Sequence, residues 1–234
     1  MLAVIDQRLP LSCQQTLKAY GHTLLCLPPF SCLAPPLASH PDMLLFRLGD
    51  KLFCHKAYYA MVKKKIQTIL RTANLSLCLT QDMVTNQYPS DVALNLVFTR
   101  NILIGKKDAM ANQVKAYAEI SHIPILSVKQ GYTKCSCVVL EDALITADTG
   151  IATVAKTIGA DCLLIANGDV ELPGYPYGFI GGACGVCNKT VFFCGNIKKH
   201  KDGNAIEAFC TKHGYEVVSL SNEKLIDVGS LMFF

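Results

Sequence analysis

KLIDVGSLMFF (residues 224–234) and MLAVI (residues 1–5) decide the fold, because together they make one hairpin cut at its turn. The first stretch is an apolar strand that stops where a polar turn is due. The second is an apolar strand with no strand before it. Residues 12–20 then read as an amphipathic helix and residues 23–27 as a third strand.

Four internal segments show the same order uninterrupted. Each is a short apolar strand, a polar turn, a second apolar strand, a helix and a third strand. The turns are Gly49-Asp50-Lys51, Thr99-Arg100-Asn101, Glu141-Asp142-Ala143 and Cys187-Asn188-Lys189. Second strands are expected at 52–54, 102–105, 144–147 and 190–194. Helices are expected at 57–72, 109–121, 151–158 and 205–213, and third strands at 75–79, 123–128, 162–165 and 215–220. Gly159 and Gly214 stand where a helix C-terminal glycine belongs.

The register supports a repeat. Eight residues before the turns lie Asp42, Val92, Lys134 and Ile180, and Asp227 holds the equivalent place before the chain end. Their intervals are 50, 42, 46 and 47 residues, and 49 from Asp227 round to Asp42 if the ends are joined. The expectation is one α/β domain over residues 1–234: a five-fold pseudo-symmetric propeller of strand–strand–helix–strand units. Pairing of the N- and C-terminal strands would close it and hide the sheet edges.

Composition narrows the function. Hydrophobic residues are 51% of the chain and charged residues 17%, enough for a large core and too apolar for disorder. No apolar run is long enough for a membrane span, and the N-terminus lacks a signal-peptide pattern, so a cytoplasmic protein is expected. A net charge of +4 without any Trp gives no nucleic-acid footprint; Lys63-Lys64-Lys65 reads as a solvated helix face. The twelve cysteines, mostly in apolar runs, read as small buried hydrophobes rather than disulfides. Asp148 reads as a helix N-cap. His22, His55, His122 and His213 read as surface residues, and His200 as part of a solvated loop.

Strand alternation predicts what faces the axis. His40 and Asp42, then Tyr132, Lys134 and Ser136, then Gly178, Ile180 and Gly182, and last Asp227 and Gly229 share one face. Met43, Leu45, Cys135, Cys137 and Phe179 fall on the other, toward the helices. Buried ions are weak stabilisers, so a polar cluster on an axis points to a ligand; the competing reading is a structural Asp42–Lys134–Asp227 network. The glycines of GFIGGACG (178–185), Gly181 and Gly182 among them, point to close backbone approach. Cys135 with Cys137 and Cys184 with Cys187 have zinc-like spacing, but their apolar setting favours plain buried thiols. No metal or cofactor is expected.

At these residues the chain resembles the pentein, or guanidino-group-modifying, superfamily, and most closely the dimethylarginine dimethylaminohydrolases. His40-Pro-Asp-Met-Leu-Leu-Phe46 is similar to that family's PD-x-V-F-V segment, and Leu96 to Gly105 to its V-L-F-T-G-R-E-F-F-V-G hairpin. Ala183 to Lys189 is similar to its A-N-C-I-Y-L-N run, and Val218 to Ser221 with Lys224 to Phe234 to its C-terminal stretch. The resemblance implies that Asp42 holds a guanidinium. It also implies a Cys nucleophile and a His base, whose places fall at Met232 and Tyr132. Neither side chain supplies that chemistry.

The expectation is therefore a catalytically atypical pentein. It binds a small polar, cationic or amino-acid-like ligand through His40, Asp42, Tyr132, Lys134, Ser136, Gly181, Gly182 and Asp227. If an enzyme, it is a hydrolase of C–N bonds, with His40 as acid/base or Cys135 as a non-family nucleophile. The rival reading is a non-enzymatic scaffold for protein or ribosome interaction. The oligomeric state is open.

Overall fold

The computed structural model describes residues 1–234 and is a mixed α/β structure. It contains five three-stranded sheets of one pattern, in which the middle strand pairs antiparallel on one side and parallel on the other. In chain order, β1 (Leu2–Asp6) lies between β2 (Thr23–Leu27) and the last strand, β17 (Met232–Phe233). Then come β3 (Leu45–Leu48), β4 (Lys51–His55) and β5 (Ser76–Thr80), followed by β6 (Val97–Thr99), β7 (Ile102–Gly105) and β8 (Ile125–Ser127). The last two sheets are β9 (Cys137–Val139), β10 (Ala143–Thr146), β11 (Asp161–Leu164), and β13 (Cys184–Cys187), β14 (Thr190–Phe193), β15 (Glu216–Ser219).

Each middle strand leads through a helix to its parallel partner. The helices are α1 (Leu11–Ala19), α3 (Lys56–Ala73), α4 (Asn112–Ile120), α5 (Thr149–Thr157) and α6 (Gly203–Lys212). In α3, Tyr58, Val62, Ile66 and Ile69 recur at helical spacing and are buried, each contributing roughly 1.5–3 kcal/mol of transfer free energy. Lys63, Lys64 and Lys65 on its other face are exposed. The Asp148 carboxylate accepts from the Ile151 N–H at 2.8 Å and caps α5. Gly159 and Gly214 follow α5 and α6 with φ of 71° and 76°, a conformation that favours glycine.

The two chain ends pair as the split hairpin requires. Ala3 faces Phe233 and Val4 faces Met232, and Leu2 and Phe234 exchange both backbone hydrogen bonds at 2.9 Å. A short parallel pair absent from the sequence reading, β12 (Val170–Glu171) with β16 (Leu225–Ile226), carries the chain into Asp227. No helix is long and apolar enough to cross a membrane.

The first strands differ from expectation. The residues before them are turns, not strands, in four of the five units. Met43 N–H donates to the His40 carbonyl, Asn95 to Val92, Ser136 to Tyr132, and Ala183 to Phe179, at 3.0–3.2 Å. In the first unit, Pro41 opens a single helical turn, α2 (Pro41–Leu44), where its fixed φ and missing N–H cost nothing. Two-residue alternation therefore does not apply to the residues nearest the centre.

Two histidine assignments are also corrected. His55 is buried, with Thr80 Oγ1 3.0 Å from Nδ1 and the Met43 carbonyl 3.1 Å from Nε2. His200 is buried too, and its Nδ1 accepts from the Asp202 N–H at 3.0 Å. His55 owes its burial to contacts distant in sequence. All twelve cysteines are free thiols, eight of them buried.

Candidate functional site

The turns bring a buried polar cluster together. Asp227, at the end of β16, is fixed by two backbone donors: Phe179 N–H to Oδ2 at 2.9 Å and Gly229 N–H to Oδ1 at 3.0 Å. A Cβ on Gly182 would collide with this carboxylate, and one on Gly181 with the Lys134 and Cys137 carbonyls. The glycine-rich stretch thus serves close approach of backbone to a side chain and to another backbone.

Asp42, in α2, accepts from Ser230 Oγ at 2.6 Å and from the Cys135 thiol at 3.1 Å, both on Oδ2. Its Oδ1 is buried without a partner. Lys134 does not pair with either carboxylate directly. Its ammonium donates to Ser230 Oγ at 3.0 Å and to the Gly181 carbonyl at 3.5 Å, so Ser230 relays it to Asp42. Sequence reasoning missed Ser230, although a serine with φ of 67° in a buried run is unusual.

Cys135 is the main correction. Alternation turned it toward the helices; the turn at 132–136 turns it inward. Asn95 holds this turn, its Oδ1 accepting from the N–H groups of Lys134 (2.7 Å) and Cys135 (3.1 Å), while its Nδ2 donates to the Cys135 sulfur at 3.1 Å. The one polar residue inside VALNLVF (92–98) was the signal for that role. The thiol, a ring nitrogen of His40 and a carboxylate oxygen of Asp227 lie within 4.8 Å of one another. Cys135, Cys137, Cys184 and Cys187 do not converge as a metal site.

His40 is fully buried, and neither ring nitrogen has a hydrogen-bond partner. Nδ1 stands 3.9 Å from Asp227 Oδ1, and Nε2 3.9 Å from Asp6 Oδ2. Asp6, also missed from sequence, is clamped by Arg8, whose Nε donates to Oδ1 at 2.9 Å and whose Nη2 donates to Oδ2 at 2.5 Å.

The electrostatics follow from burial. Desolvation and then Arg8 push the His40 imidazole down to about 3. Desolvation and the Asp42 carboxylate push Asp227 up to about 7, and desolvation raises Asp42. Cys135 is raised well above a free thiol by burial and then by Asp42 and Asp227. Two carboxylates faced by one ammonium leave the cluster deficient in positive charge.

Two recesses reach the Asp42–Cys135 contact, one lined by Cys135 and the other by Asp42. One, of about 230 Å³, has Cys135 and Asp227 at its floor and Tyr132, Tyr175, Tyr177 and Phe179 among its walls. Tyr132 donates to Asp91 Oδ2 at 2.6 Å, which locks its ring as wall. The other, of about 200 Å³, is lined by Asp42, Lys134, Met232 and apolar side chains. Tyr132 and Met232, where the sequence resemblance puts a base and a nucleophile, line different recesses. Ser136 leaves the cluster altogether. It lines a separate polar recess of about 200 Å³ with Gln130, Asn167 and His200.

The comparisons with known proteins agree with this architecture. The profile of a family of unknown function (DUF6873) matches residues 4–232. No curated protein matches the sequence. Among solved structures, the dimethylarginine dimethylaminohydrolase of Pseudomonas aeruginosa, bound to citrulline, is 10% identical, with a TM-score of 0.59 over 94% of this chain and 92% of that one. The N-terminal domain of a cyanobacterial arginine dihydrolase bound to its substrate gives 0.57 at 10% identity, over 94% and 91%. An amidinotransferase of the saxitoxin pathway from Microseira wollei gives 0.55 at 10%, over 89% and 72%. These neighbours belong to the pentein superfamily, and the likeness is one of fold.

Proposed function

The chain belongs to the DUF6873 family, whose function is unknown, and from its site we propose that it is a single-domain pentein that binds a small organic cation. In this reading the five sheets are blades of a five-fold propeller that β1 and β17 close. The ligand enters the 230 Å³ recess and sets a guanidinium or amidinium group against Asp227. The observation that carries the proposal is a buried carboxylate, without a cationic partner, at the floor of an aromatic-walled pocket. Aromatic faces and a desolvated carboxylate both favour a delocalised cation. The volume limits the ligand to a small one. Asp42 acts indirectly, by holding Cys135 and repelling Asp227.

Calorimetric titration with guanidine- and amidine-bearing compounds, beside size-matched neutral amides, tests this. Binding confined to the cations, and weakened about 30-fold or more by Asp227→Asn, is the expected result. Equal binding by an Asp227→Asn protein with wild-type thermal unfolding would reject it.

A second reading is favoured by the Cys135–His40–Asp227 convergence. A cation against Asp227 offsets the Asp42 and Asp227 repulsion that adds to the effect of burial on the Cys135 thiol. The thiol proton then passes to Asp42 Oδ2, to which the thiol already donates, the sulfur adds to the amidinium carbon, and the C–N bond breaks as the amine leaves with that proton. Water cleaves the adduct and restores the thiol. Mass spectrometry of protein quenched during turnover would show the adduct on Cys135.

A further inference from the structure

We propose that His40, Cys135 and Asp227 form a binding site for a single Zn2+ ion. The three residues supply one nitrogen, one sulfur and one oxygen, a donor set that suits zinc. Their ligating atoms lie within 4.8 Å of one another. A tetrahedral site with bonds of about 2.0–2.3 Å needs edges of about 3.4 Å. The 3.9 Å gap between His40 Nδ1 and Asp227 Oδ1 is close to such an edge: too long for a hydrogen bond and short enough for a shared ion.

His40 is the independent observation. A completely buried imidazole with both nitrogens unpartnered carries a desolvation cost that native cores avoid. An ion on Nδ1 satisfies one nitrogen. It also fixes the tautomer, so that Nε2–H points at Asp6, 3.9 Å away and already held by Arg8. A histidine ligand backed by a carboxylate is the usual support of a zinc site. The other ligands are equally constrained. Gly229 leaves no room for His40 to move back, Gly182 packs against the Asp227 carboxylate, and the Asn95 Nδ2–H aims the sulfur.

On binding, the Cys135 proton leaves to solvent, and thiolate, carboxylate and Zn2+ together are neutral, as a buried site requires. Three protein ligands leave a fourth position open, and two of the three, Cys135 and Asp227, line the aromatic-walled recess. The inference uses that recess but does not rest on its organic ligand. Zn2+ and a guanidinium compete for the same Asp227 oxygen, so each occupant displaces the other.

The test uses the full chain, freed of metal with a chelator and dialysed. Titration with Zn2+ is expected to give one ion per chain, and Co2+ a thiolate-to-metal charge-transfer band. The band persists in Cys137→Ser and disappears in Cys135→Ser. Asp6→Asn, which keeps all three ligands while loosening Arg8 and the support of His40, is expected to weaken Zn2+ about 10–100-fold. X-ray absorption of the wild-type zinc form reads the ligand set without any variant, and one sulfur with nitrogen and oxygen neighbours is expected. Absence of stoichiometric binding, an all-sulfur shell, or an unchanged band in Cys135→Ser overturns the site. Guanidine binding by protein that takes up no zinc overturns the ion alone; a zinc site in protein that binds no guanidine overturns only the organic ligand.

Discussion

His40 and His55 are buried to the same degree, 0% and 2% exposed, and burial pushes both imidazoles down, to about 3 and about 4. Their surroundings are opposite. His55, at the end of β4, bridges Thr80 and the Met43 carbonyl, and both nitrogens are used. His40, at the start of α2, faces two carboxylates across 3.9 Å and uses neither nitrogen. The first histidine ties a strand end to a turn. The second is held in place by glycine, arginine and carboxylate neighbours without being bonded to any of them. Depth of burial therefore does not separate a structural imidazole from a functional one; satisfaction of its nitrogens does.

Replacing each by leucine tests that contrast most sharply. His55→Leu strands the Thr80 hydroxyl and the Met43 carbonyl and is expected to lower stability by about 3 kcal/mol. His40→Leu replaces two unpaired nitrogens by carbon and is expected to change the metal-free protein by less than about 1 kcal/mol. Urea unfolding of the two variants measures the difference, and equal losses would erase the distinction. A smaller effect is expected from Gly229→Ala. Its Cβ would land on the His40 ring, and the residue has a φ of 67°, so a cost of about 2 kcal/mol follows, together with loss of whatever the site binds. A variant that keeps both stability and binding would show that His40 is free to move.

The most gradual effect is in the pH dependence. The folded-state value of His55 lies below its free value of about 6.5, because burial outweighs the upward pull of the Met43 carbonyl and of Asp82. Its contribution is therefore complete above pH 6.5 and is lost as the pH falls toward 4. Within that window the wild type is expected to lose up to about 1.4 kcal/mol per pH unit through this group. His55→Leu lacks that part of the slope. Parallel stability curves for the two proteins would contradict the assignment.

The order of strands and helices was legible because its signals are local. Polar turns between apolar runs located four hairpins, and β2 and β7 begin and end where the sequence placed them. Terminal pairing followed from the register alone. The site was legible only in part. His40, Asp42, Lys134 and Asp227 do gather near one another, since register brings equivalent positions together. Which way each side chain points was not legible, because that depended on strand alternation, and a proline and the local turns had replaced the strand. Cys135 consequently moved inward, and Ser136 moved to another recess. Asp6 and Arg8 escaped notice for a different reason. They lie at the end of β1 and just after it, and the turn that carries His40 comes from a distant part of the sequence.

The reciprocal bonding of Leu2 with Phe234 means that the order of residues along the chain is almost arbitrary for this architecture. A short polar linker from residue 234 to residue 1 would do there what Asn188 and its neighbours do in another sheet. New ends could then be opened at the exposed Glu141–Asp142 turn. Such a circular permutant would keep every sheet while moving the break away from Ser230 and Asp227. Fusion partners or reporter groups could then be attached far from the centre.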